Sequence, residues 1–341
     1  CELFTSDTQI PKHFFKYQKQ LSPKALEEIC IKHANQGIQS WLIIPELTYL
    51  SKHQALTAIA KSYARISVSP FTVIYFMFLL NNKIYSKYQI EELKLPLPVV
   101  AEIPEIKSQT NNTITSSKER SALAESFRVL YSKMKFYGIN DNKDGHVIMV
   151  TSTIKGEGKT FCATNLALAK ASLGNKTLLI GADLHNPQIH VYLNEEKNNA
   201  GLVNFLIDSS YDWKKAVMKF EEFDCDILIG GQIPPNPAQL LNNGNFEKLL
   251  NHAKKVYDNI IIDTPPCLLV SDTLSMSPLA DLLIFVVRCN HTDIDILNFI
   301  RDTYSKGIIH KNSIIVLNGL GAKGKYGYGY AYNYSYAHKY N

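Results

Sequence analysis

The sequence has no two cysteines at C-x-x-C spacing, although it contains six cysteines in 341 residues. They are scattered along the whole chain: Cys1, Cys30, Cys162, Cys225, Cys267 and Cys289. Zinc-binding modules place their cysteines in closely spaced pairs, so this distribution argues against a zinc site. In a chain this long, it also favours reduced cytosolic thiols over a framework of disulfides.

A strong excess of charge is also missing, because the formal net charge is only +5 at pH 7. This mild basic balance is compatible with a position near an anionic membrane, but it is too small to indicate a nucleic-acid partner. Hydrophobic residues make up 45% of the chain, which argues against general disorder. We therefore expect a folded protein that does not bind nucleic acid.

The chain shows no initiator Met, no signal-peptide pattern and no full-length apolar span. It begins Cys1-Glu2-Leu3-Phe4, which predicts a fragment or a processed product. Residues 66–80 carry no charge, yet a membrane helix needs about 20 apolar residues. Two interpretations stay open for this run: a buried core helix, or the end of a membrane span that touches or enters the bilayer. Residues 1–65 contain no pattern that indicates a chemistry.

One stretch carries a strong positive signal. Residues 147–160 read as a buried strand that runs into a glycine-containing loop, and a helix is predicted over residues 161–173. This is the layout of a P-loop, in which backbone N–H groups and a helix N-terminus bind phosphate oxygens while Lys159 reaches the outer phosphates and Thr160 ligates Mg²⁺. Thr153 replaces the first glycine of the pattern. The predicted nucleotide-binding residues are Gly156, Glu157, Gly158, Lys159, Thr160 and Phe161.

From residue 147 onward, apolar strands alternate with helical stretches. Further strands are predicted at residues 177–180, 226–229, 259–263, 282–287 and 313–317. Continuous apolar strands between helices predict an α/β fold, a doubly wound and mostly parallel sheet flanked by helices. A nucleotide then binds at the carboxyl ends of the strands. Ahead of the sheet, an amphipathic helix is predicted over residues 121–137, with an apolar stripe of Leu123, Phe127, Leu130 and Met134.

Two of these strand ends carry an aspartate and should converge with the P-loop. Asp183 lies just after the second strand, in Gly181-Ala182-Asp183-Leu184-His185. Asp263 ends a hydrophobic run and is followed by Thr-Pro-Pro, which is a Walker B pattern. Such an aspartate holds Mg²⁺ beside the P-loop threonine, directly or through water. The polar residues of the later loops, Asp272, Asp281 and Arg288, are interpreted as surface charges or caps.

The last segment, residues 323–341, differs in composition from the rest. Its tyrosines are separated by Gly, Ala, Asn and Ser, and it has no large aliphatic residue, so it cannot build a core. Two interpretations stay open: an adhesive, β-prone tail, or a row of phosphate acceptors that serves the ATP site. The tyrosines are Tyr326, Tyr328, Tyr330, Tyr332, Tyr334, Tyr336 and Tyr340.

Together these motifs make the chain similar to the bacterial tyrosine kinases of capsule and exopolysaccharide assembly, the BY-kinases. These kinases have a P-loop fold related to the MinD/ParA ATPases. The resemblance is carried by residues 156–160, 182–184, 234–237 and 262–266 and by the tyrosine tail. Residues 70–84 and 97–104 resemble the family's exit from its second membrane helix, and residues 125–128 resemble the start of its oligomerisation helix.

The resemblance implies a protein-tyrosine kinase that uses ATP and Mg²⁺, autophosphorylates its C-terminal tyrosines and regulates polysaccharide synthesis and export. It implies that Lys159, Asp183 and Asp263 carry catalysis and that Thr160, Asp183 and Asp263 hold the metal. The implied partners are further copies of the chain acting in trans, a polysaccharide co-polymerase with its export machinery, and a tyrosine phosphatase. The implied location is the cytoplasmic face of the bacterial inner membrane.

Several positions depart from the family pattern. The family's Walker A′ loop reads Asp-x-Asp-x-Arg, whereas this chain has Gly181 and His185 at the first and last of these positions. Tyr131 stands in place of the second arginine of the oligomerisation motif, Glu-x-x-Arg-x-x-Arg. Loss of a positioned general base lowers a rate by about 10²–10⁴-fold. An alternative function is therefore an ATP-binding regulatory module with weak or no kinase activity. A MinD/ParA-type positioning ATPase is disfavoured, because Ile154 occupies the position of its second lysine.

These patterns divide the chain into four parts. Residues 1–65 are an unassigned N-terminal segment, and residues 66–120 are a membrane-proximal helix and linker with short strands near residues 93–104. Residues 121–322 form the P-loop kinase domain, and residues 323–341 are the tyrosine-rich tail.

Overall fold

The computed structural model describes residues 82–106, 121–139, 145–193, 200–220, 224–268 and 272–321. The chain divides into two compact units, Cys1–Asn82 and Lys83–Asn341, and every described residue except Asn82 belongs to the second. The predictions for residues 1–65, for the apolar run 66–80 and for the tyrosine tail lie outside the described residues. Within the described ranges, every helix is too short or too polar to cross a bilayer.

Eight strands form one sheet at the centre of the second unit. They are β1 (Val99–Pro104), β2 (His146–Ser152), β3 (Thr177–Gly181), β4 (Met218–Phe220), β5 (Cys225–Leu228), β6 (Asn259–Asp263), β7 (Leu282–Arg288) and β8 (Ser313–Leu320). Their spatial order is β1-β8-β7-β2-β6-β3-β5-β4. All neighbouring pairs are parallel except β4 and β5. The predicted doubly wound, mostly parallel α/β fold is therefore confirmed.

The central strands are apolar on both faces because both faces are covered. Every residue of β2, β3 and β6 is buried. Successive side chains of β2 enter two separate core clusters, with Val147 and Met149 in one and Ile148 and Val150 in the other. A strand that packs on both sides reads as a continuous apolar run, and this is why its position was visible in the sequence.

The described residues contain the following α-helices: α1 (Lys87–Glu92), α2 (Ala122–Met134), α3 (Lys159–Ala171), α4 (Ile189–Leu193), α5 (Leu202–Ile207), α6 (Pro237–Leu241), α7 (Asn245–Ala253), α8 (Asp272–Met276) and α9 (Leu297–Ser305). Short 3₁₀ turns lie at Lys135–Tyr137, Trp213–Ala216, Ser277–Leu279 and Ile294–Ile296. Helix α3 follows the P-loop and begins at Lys159, two residues before the predicted start, because Gly158 occupies the N-cap position.

The amphipathic helix predicted over residues 121–137 is observed as α2 and the 3₁₀ turn after it. The hydroxyl of Ser121 accepts the N–H of Ala124 at 3.1 Å and caps the helix. All four residues of the predicted apolar stripe are buried. Phe127 of this stripe meets Phe161 of α3 edge to face, with ring centroids 6.2 Å apart. Helix α2 therefore packs against the helix that follows the P-loop.

The first edge strand of the sheet falls where short strands were predicted near residues 93–104, whereas the strand at the other edge was not predicted. β1 lies in the predicted linker, before residue 121, and pairs with β8 in parallel. The compact unit accordingly begins at Lys83. β4 was not predicted from the sequence, because its three residues are partly exposed and carry no long apolar run.

Candidate active site

Three parallel strands end side by side at one edge of the sheet and carry the predicted site residues. β2 leads into the P-loop and pairs with β6, and β6 pairs in turn with β3. In this register Asp263, the last residue of β6, lies level with Val150 on one side and with Gly181 on the other. The topology thus brings the P-loop, the Walker A′ loop and the Walker B aspartate to one place.

Lys159 lies between two buried carboxylates. Its Nζ atom is 2.6 Å from Oδ2 of Asp183 and 3.6 Å from Oδ1 of Asp263. The hydroxyl of Thr160 donates to Oδ2 of Asp263 at 2.7 Å. Asp183 and Asp263 are 4% and 1% exposed, so water screens these contacts little. The structure therefore brings all four residues that were predicted to carry catalysis and bind metal into one cluster.

The electrostatics of the cluster follow from its burial. Desolvation raises the pKa of the Asp263 carboxyl to about 6, although Lys159 and the hydrogen bond from Thr160 act in the opposite direction. Desolvation would lower the pKa of Lys159, but the charges of Asp263 and Asp183 outweigh it and raise that pKa. Lys159 is therefore a cation at neutral pH, and its charge stabilises the carboxylates beside it.

The donor set of the cluster fits a magnesium ion. Oδ1 of Asp263 is buried and accepts no hydrogen bond within the described part of the chain. One or two carboxylates and a hydroxyl, completed by phosphate oxygens, form the usual environment of Mg²⁺ at nucleotide sites. Thr160, Asp183 and Asp263 offer such oxygen atoms within hydrogen-bond or ion-pair reach of one another or of Lys159.

The P-loop backbone turns sharply at two glycines. Gly156 and Gly158 have φ angles of 90° and 94°, a region that other residues rarely adopt. A Cβ atom on Gly158 would also lie 2.2 Å from Nδ2 of Asn318, so a side chain at this position would displace the Asn318 amide. Beyond it, the first N–H groups of α3 have no acceptor within the helix. These N–H groups, with Lys159, are the donors that suit phosphate oxygens.

The Walker A′ loop is narrow at Gly181, where the family carries its first aspartate. A Cβ atom at residue 181 would lie 3.1 Å from the backbone nitrogen of Gly230 and 3.3 Å from Cδ1 of Ile189. Because these contacts are tighter than usual, a side chain at this position requires a small shift of its neighbours. The shallow pocket beside it is lined by Gly181, Asp183, Gly230, Gly231 and Asp263, together with residues 187–190 and Ile229.

His185, which replaces the family's arginine, is held by a buried acid. Its Nε2 atom lies 2.9 Å from Oδ2 of Asp272, which is 1% exposed. The interpretation of Asp272 as a surface charge is wrong, because its carboxylate is buried and anchors the Walker A′ loop through His185. Asp281 is also partly shielded, and its Oδ2 accepts the N–H of Val147 at 2.9 Å.

Sequence reasoning missed most of the side chains that hold the P-loop from outside. Arg288, interpreted as a surface charge or cap, donates to the carbonyl oxygen of Gly156 at 2.9 Å. Asn318 of β8 donates to the carbonyl oxygen of Glu157 at 2.9 Å, and Thr292 donates to the Glu157 carboxylate. These donors lie between 132 and 161 residues from their partners in the sequence, so no local pattern could have revealed them.

The chain is similar to known proteins in both sequence and structure. Residues 145–314 match the family described as AAA domain. Tyrosine-protein kinase YwqD of Bacillus subtilis (strain 168) is 35% identical over 182 residues, which cover 53% of this chain and 75% of that protein. Tyrosine-protein kinase CpsD of Streptococcus agalactiae is 33% identical over 181 residues, which cover 52% of this chain and 77% of that protein. The solved kinase domain of Escherichia coli tyrosine kinase ETK superposes with a TM-score of 0.62 and 25% identity, over 72% of this chain and 97% of that one.

Proposed function

The chain belongs to the bacterial tyrosine-protein kinases, and from this premise we propose that it transfers the γ-phosphoryl group of ATP to the tyrosines of its own C-terminal cluster. The observation that carries the proposal is the contact of Lys159 with Asp183, Asp263 and Thr160 at the ends of three adjacent strands. The proposed acceptors are Tyr326, Tyr328, Tyr330, Tyr332, Tyr334, Tyr336 and Tyr340.

Each residue of the cluster has a distinct proposed role. A bound Mg²⁺ would offset the negative charge of the phosphates. Thr160, Asp183 and Asp263 hold the metal, and Lys159 turns from the carboxylates to the outer phosphates. The phenolic oxygen of an acceptor tyrosine forms a bond to the γ-phosphorus, the bond to the oxygen of the departing ADP breaks, and the phenolic proton passes to water. Positioning and charge neutralisation supply most of the rate.

The proposed partners follow from the resemblance to capsule and exopolysaccharide kinases. The acceptor tail reaches the site of a second copy of the chain, and a tyrosine phosphatase reverses the modification. Phosphorylation then regulates a polysaccharide co-polymerase and its export machinery at the cytoplasmic face of the inner membrane. The proposal does not require a regular ring, because Tyr131 replaces an arginine of the family's oligomerisation motif.

Incubation of the purified chain with ATP and MgCl₂, followed by phosphopeptide mapping, tests this proposal. We expect phosphotyrosine in residues 326–340 of the parent and a loss of about 100-fold or more in Lys159→Met, because the variant lacks the charge that binds the phosphates. Lys176→Met is the matched control, since Lys176 is exposed at the start of β3, away from the site. A tail without phosphotyrosine in the parent, or equal labelling of Lys159→Met, contradicts the proposal.

A second candidate function is an ATP-binding regulatory module with little kinase activity, and the glycine at position 181 favours it. Gly181→Asp restores the family's carboxylate, and Gly181→Asn places a side chain of the same size without the charge. Both meet the same close contact with Gly230, so their comparison separates charge from crowding. If the parent is a weakened kinase, we expect autophosphorylation to rise about tenfold or more in Gly181→Asp only. A fully active parent that Gly181→Asp does not change contradicts this second candidate.

A further inference from the structure

The P-loop contains a buried carboxylate of its own. Glu157 is fully buried, and its Oε2 atom accepts the backbone N–H groups of Thr153 at 2.6 Å and Ile154 at 2.8 Å. The Thr153 hydroxyl lies 2.9 Å from both carboxylate oxygens. Thr292, from a separate part of the chain, donates a hydrogen bond to Oε1. One side chain therefore joins the start of the loop to its middle and to a second segment.

These contacts explain how the chain accommodates Thr153 where a P-loop usually carries its first glycine. Thr153 is buried, and its φ angle lies outside the left-handed region, so its backbone does not require glycine. Its hydroxyl and its N–H group both bind Glu157. In this chain a hydrogen-bonded pair of side chains therefore fixes the first part of the loop.

Within the described part of the chain, hydrogen-bond donors rather than cations surround the carboxylate of Glu157. Among the described residues, no Lys, Arg or His side chain lies within ion-pair distance of its carboxylate. Desolvation raises the pKa of this carboxyl, while the hydrogen bonds from Thr292, Ile154 and Thr153 oppose the shift. A buried charge without a counterion depends on complete hydrogen bonding. The carboxylate is therefore stable only while the loop keeps these donors in place.

The segment that carries Thr292 is itself fixed on both sides. We call residues 289–293, which follow β7, the β7 loop. Nε2 of His291 lies 2.9 Å from the carbonyl oxygen of Lys155 in the P-loop. The carbonyl oxygen of Thr292 accepts the N–H of Ile84 at 3.0 Å, and the N–H of Asn290 donates to the carbonyl oxygen of Ile84 at 2.7 Å. Thr292 therefore offers Glu157 a donor on a segment that is also held from outside the P-loop, by the backbone of Ile84.

We propose that Glu157 and Thr292 form a brace that positions the P-loop for the phosphates of the nucleotide. The inference rests on the nucleotide site proposed above and assigns both side chains as positioning residues. The brace orders the loop before the nucleotide arrives, so its N–H groups and Lys159 need not be ordered on binding. Preorganised donors bind an anion more tightly than donors that must first be ordered.

Binding of a fluorescent ATP analogue with MgCl₂ to the purified full chain tests the brace. Glu157→Ala should raise the Kd about tenfold or more, and Thr292→Val about three- to tenfold, since each removes hydrogen bonds to a buried charged group. Glu157→Gln keeps the shape and one carbonyl acceptor but replaces the other acceptor with an NH₂ donor, so its Kd should lie between those of the parent and Glu157→Ala. The double variant Glu157→Ala/Thr292→Val should bind no more weakly than Glu157→Ala, because Thr292 acts through Glu157.

Thr177→Val is the matched control for Thr292→Val. Thr177 is a buried threonine at the opposite end of its strand from the site, and its hydroxyl donates to the carbonyl oxygen of Asn175 at 3.1 Å. We expect its Kd to equal that of the parent, with melting curves showing that each variant is folded. A parent-like Kd for folded Thr292→Val overturns the proposal, whether or not Glu157→Ala folds. Additive losses in the double variant overturn it as well.

The brace and the proposed kinase function can fail separately. A parent that binds the analogue but forms no phosphotyrosine contradicts the kinase function, and the comparison of Kd values still decides the brace. A parent that forms phosphotyrosine on its tail, with the same Kd in Thr292→Val, supports the kinase function and overturns the brace.

Discussion

At the scale of single residues, Lys159 contacts the carboxylates that are proposed to bind the metal. Its ammonium lies 2.6 Å from Asp183 and 3.6 Å from Asp263, so Lys159 would compete with a Mg²⁺ ion bound as proposed for the same carboxylates. Two cations at such distances repel each other strongly in a buried site. If the proposed site is right, Lys159 would leave the carboxylates for the outer phosphates of the nucleotide, and we expect nucleotide and Mg²⁺ to bind cooperatively.

The hydroxyl of Thr160 should set the requirement for Mg²⁺. Thr160→Ala removes a proposed metal ligand and the hydrogen bond to Oδ2 of Asp263, so the Mg²⁺ concentration for half-maximal binding of the ATP analogue should rise about tenfold. Thr160→Ser keeps the oxygen and should stay within about twofold of the parent. The measurement is a Mg²⁺ titration at fixed analogue concentration. Coincident titration curves for the Ala and Ser variants would rule out the hydroxyl as a ligand.

The buried charge of Glu157 should make the stability of the protein depend on pH. Its pKa is raised in the folded state by desolvation, so the folded parent loses stability as the pH rises through that pKa. Glu157→Gln does not titrate. The quantity to compare is the free energy of unfolding of Glu157→Gln minus that of the parent. We expect this difference to be larger at pH 8 than at pH 5, because pH 5 lies nearer the ordinary glutamate pKa of 4.5.

Urea unfolding of the parent and Glu157→Gln at both pH values measures this difference. Asp263 titrates in both proteins, so its contribution cancels in the comparison. Cys267, which lies near Glu157, does not titrate in this range, because burial raises its pKa to about 12. A gain for the Gln variant that is the same or smaller at pH 8 contradicts the expectation.

At the scale of elements, α2 supports the P-loop through α3. Its Phe127 contacts Phe161, the third residue of α3, and its Tyr131 ring lies 4.6 Å from Nζ of Lys170 near the end of α3. The tyrosine that replaces the family's arginine thus contacts its own chain. Because α3 begins at the phosphate-binding donors, displacement of α2 should affect the site as well as the core.

Phe127→Ala should destabilise the fold, whereas Phe136→Ala should not. Phe127 is fully buried, and its truncation leaves a cavity that lowers the free energy of unfolding by about 3–5 kcal/mol. Phe136, in the 3₁₀ turn after α2, is 83% exposed, and its truncation should change that free energy by about 0.5 kcal/mol or less. Urea unfolding of the two variants measures both values. Similar losses in the two variants would show that α2 does not pack as described.

At the scale of the whole molecule, the parallel topology determines where the chain leaves the sheet. β8 is parallel to β7, and β7 is parallel to β2, so β8 ends at the edge that carries the P-loop. Asn318, near the end of β8, contacts the P-loop directly. The tyrosine segment follows β8 in the sequence, so it is joined to the sheet at the edge where the proposed phosphoryl donor binds.

Truncation after Gly321 should remove the proposed acceptor tyrosines and leave the nucleotide site intact. Every strand of the described sheet ends by Leu320, so the melting temperature should stay within about 4 °C of the parent, and binding of the ATP analogue should be unchanged. Autophosphorylation should be lost. A full-length variant with all seven tail tyrosines changed to Phe should behave alike, which distinguishes loss of acceptors from loss of the segment. Phosphotyrosine that persists in both variants would place the acceptors elsewhere.

The features that depend on neighbouring residues could be predicted from the sequence. Gly158-Lys159-Thr160 after an apolar strand, the aspartate that ends β6, and the buried stripe of α2 each lie within one short window. Steric limits, hydrophobic periodicity and helix capping act over such distances, so a pattern there predicts the local structure. The doubly wound sheet followed from the regular alternation of these windows.

The contacts that hold the loops could be found only in the folded chain. Glu157 meets Thr292 across 135 residues, and His185 meets Asp272 across 87 residues. Neither residue of each pair has a local pattern that requires the other, because the contact exists only after parallel strands place their carboxyl ends side by side. For the same reason Asp272 read as a surface charge in the sequence and proved to be a buried anchor. The residues of the cluster could therefore be predicted from local motifs, whereas the residues that hold their loops are brought to them by the sheet.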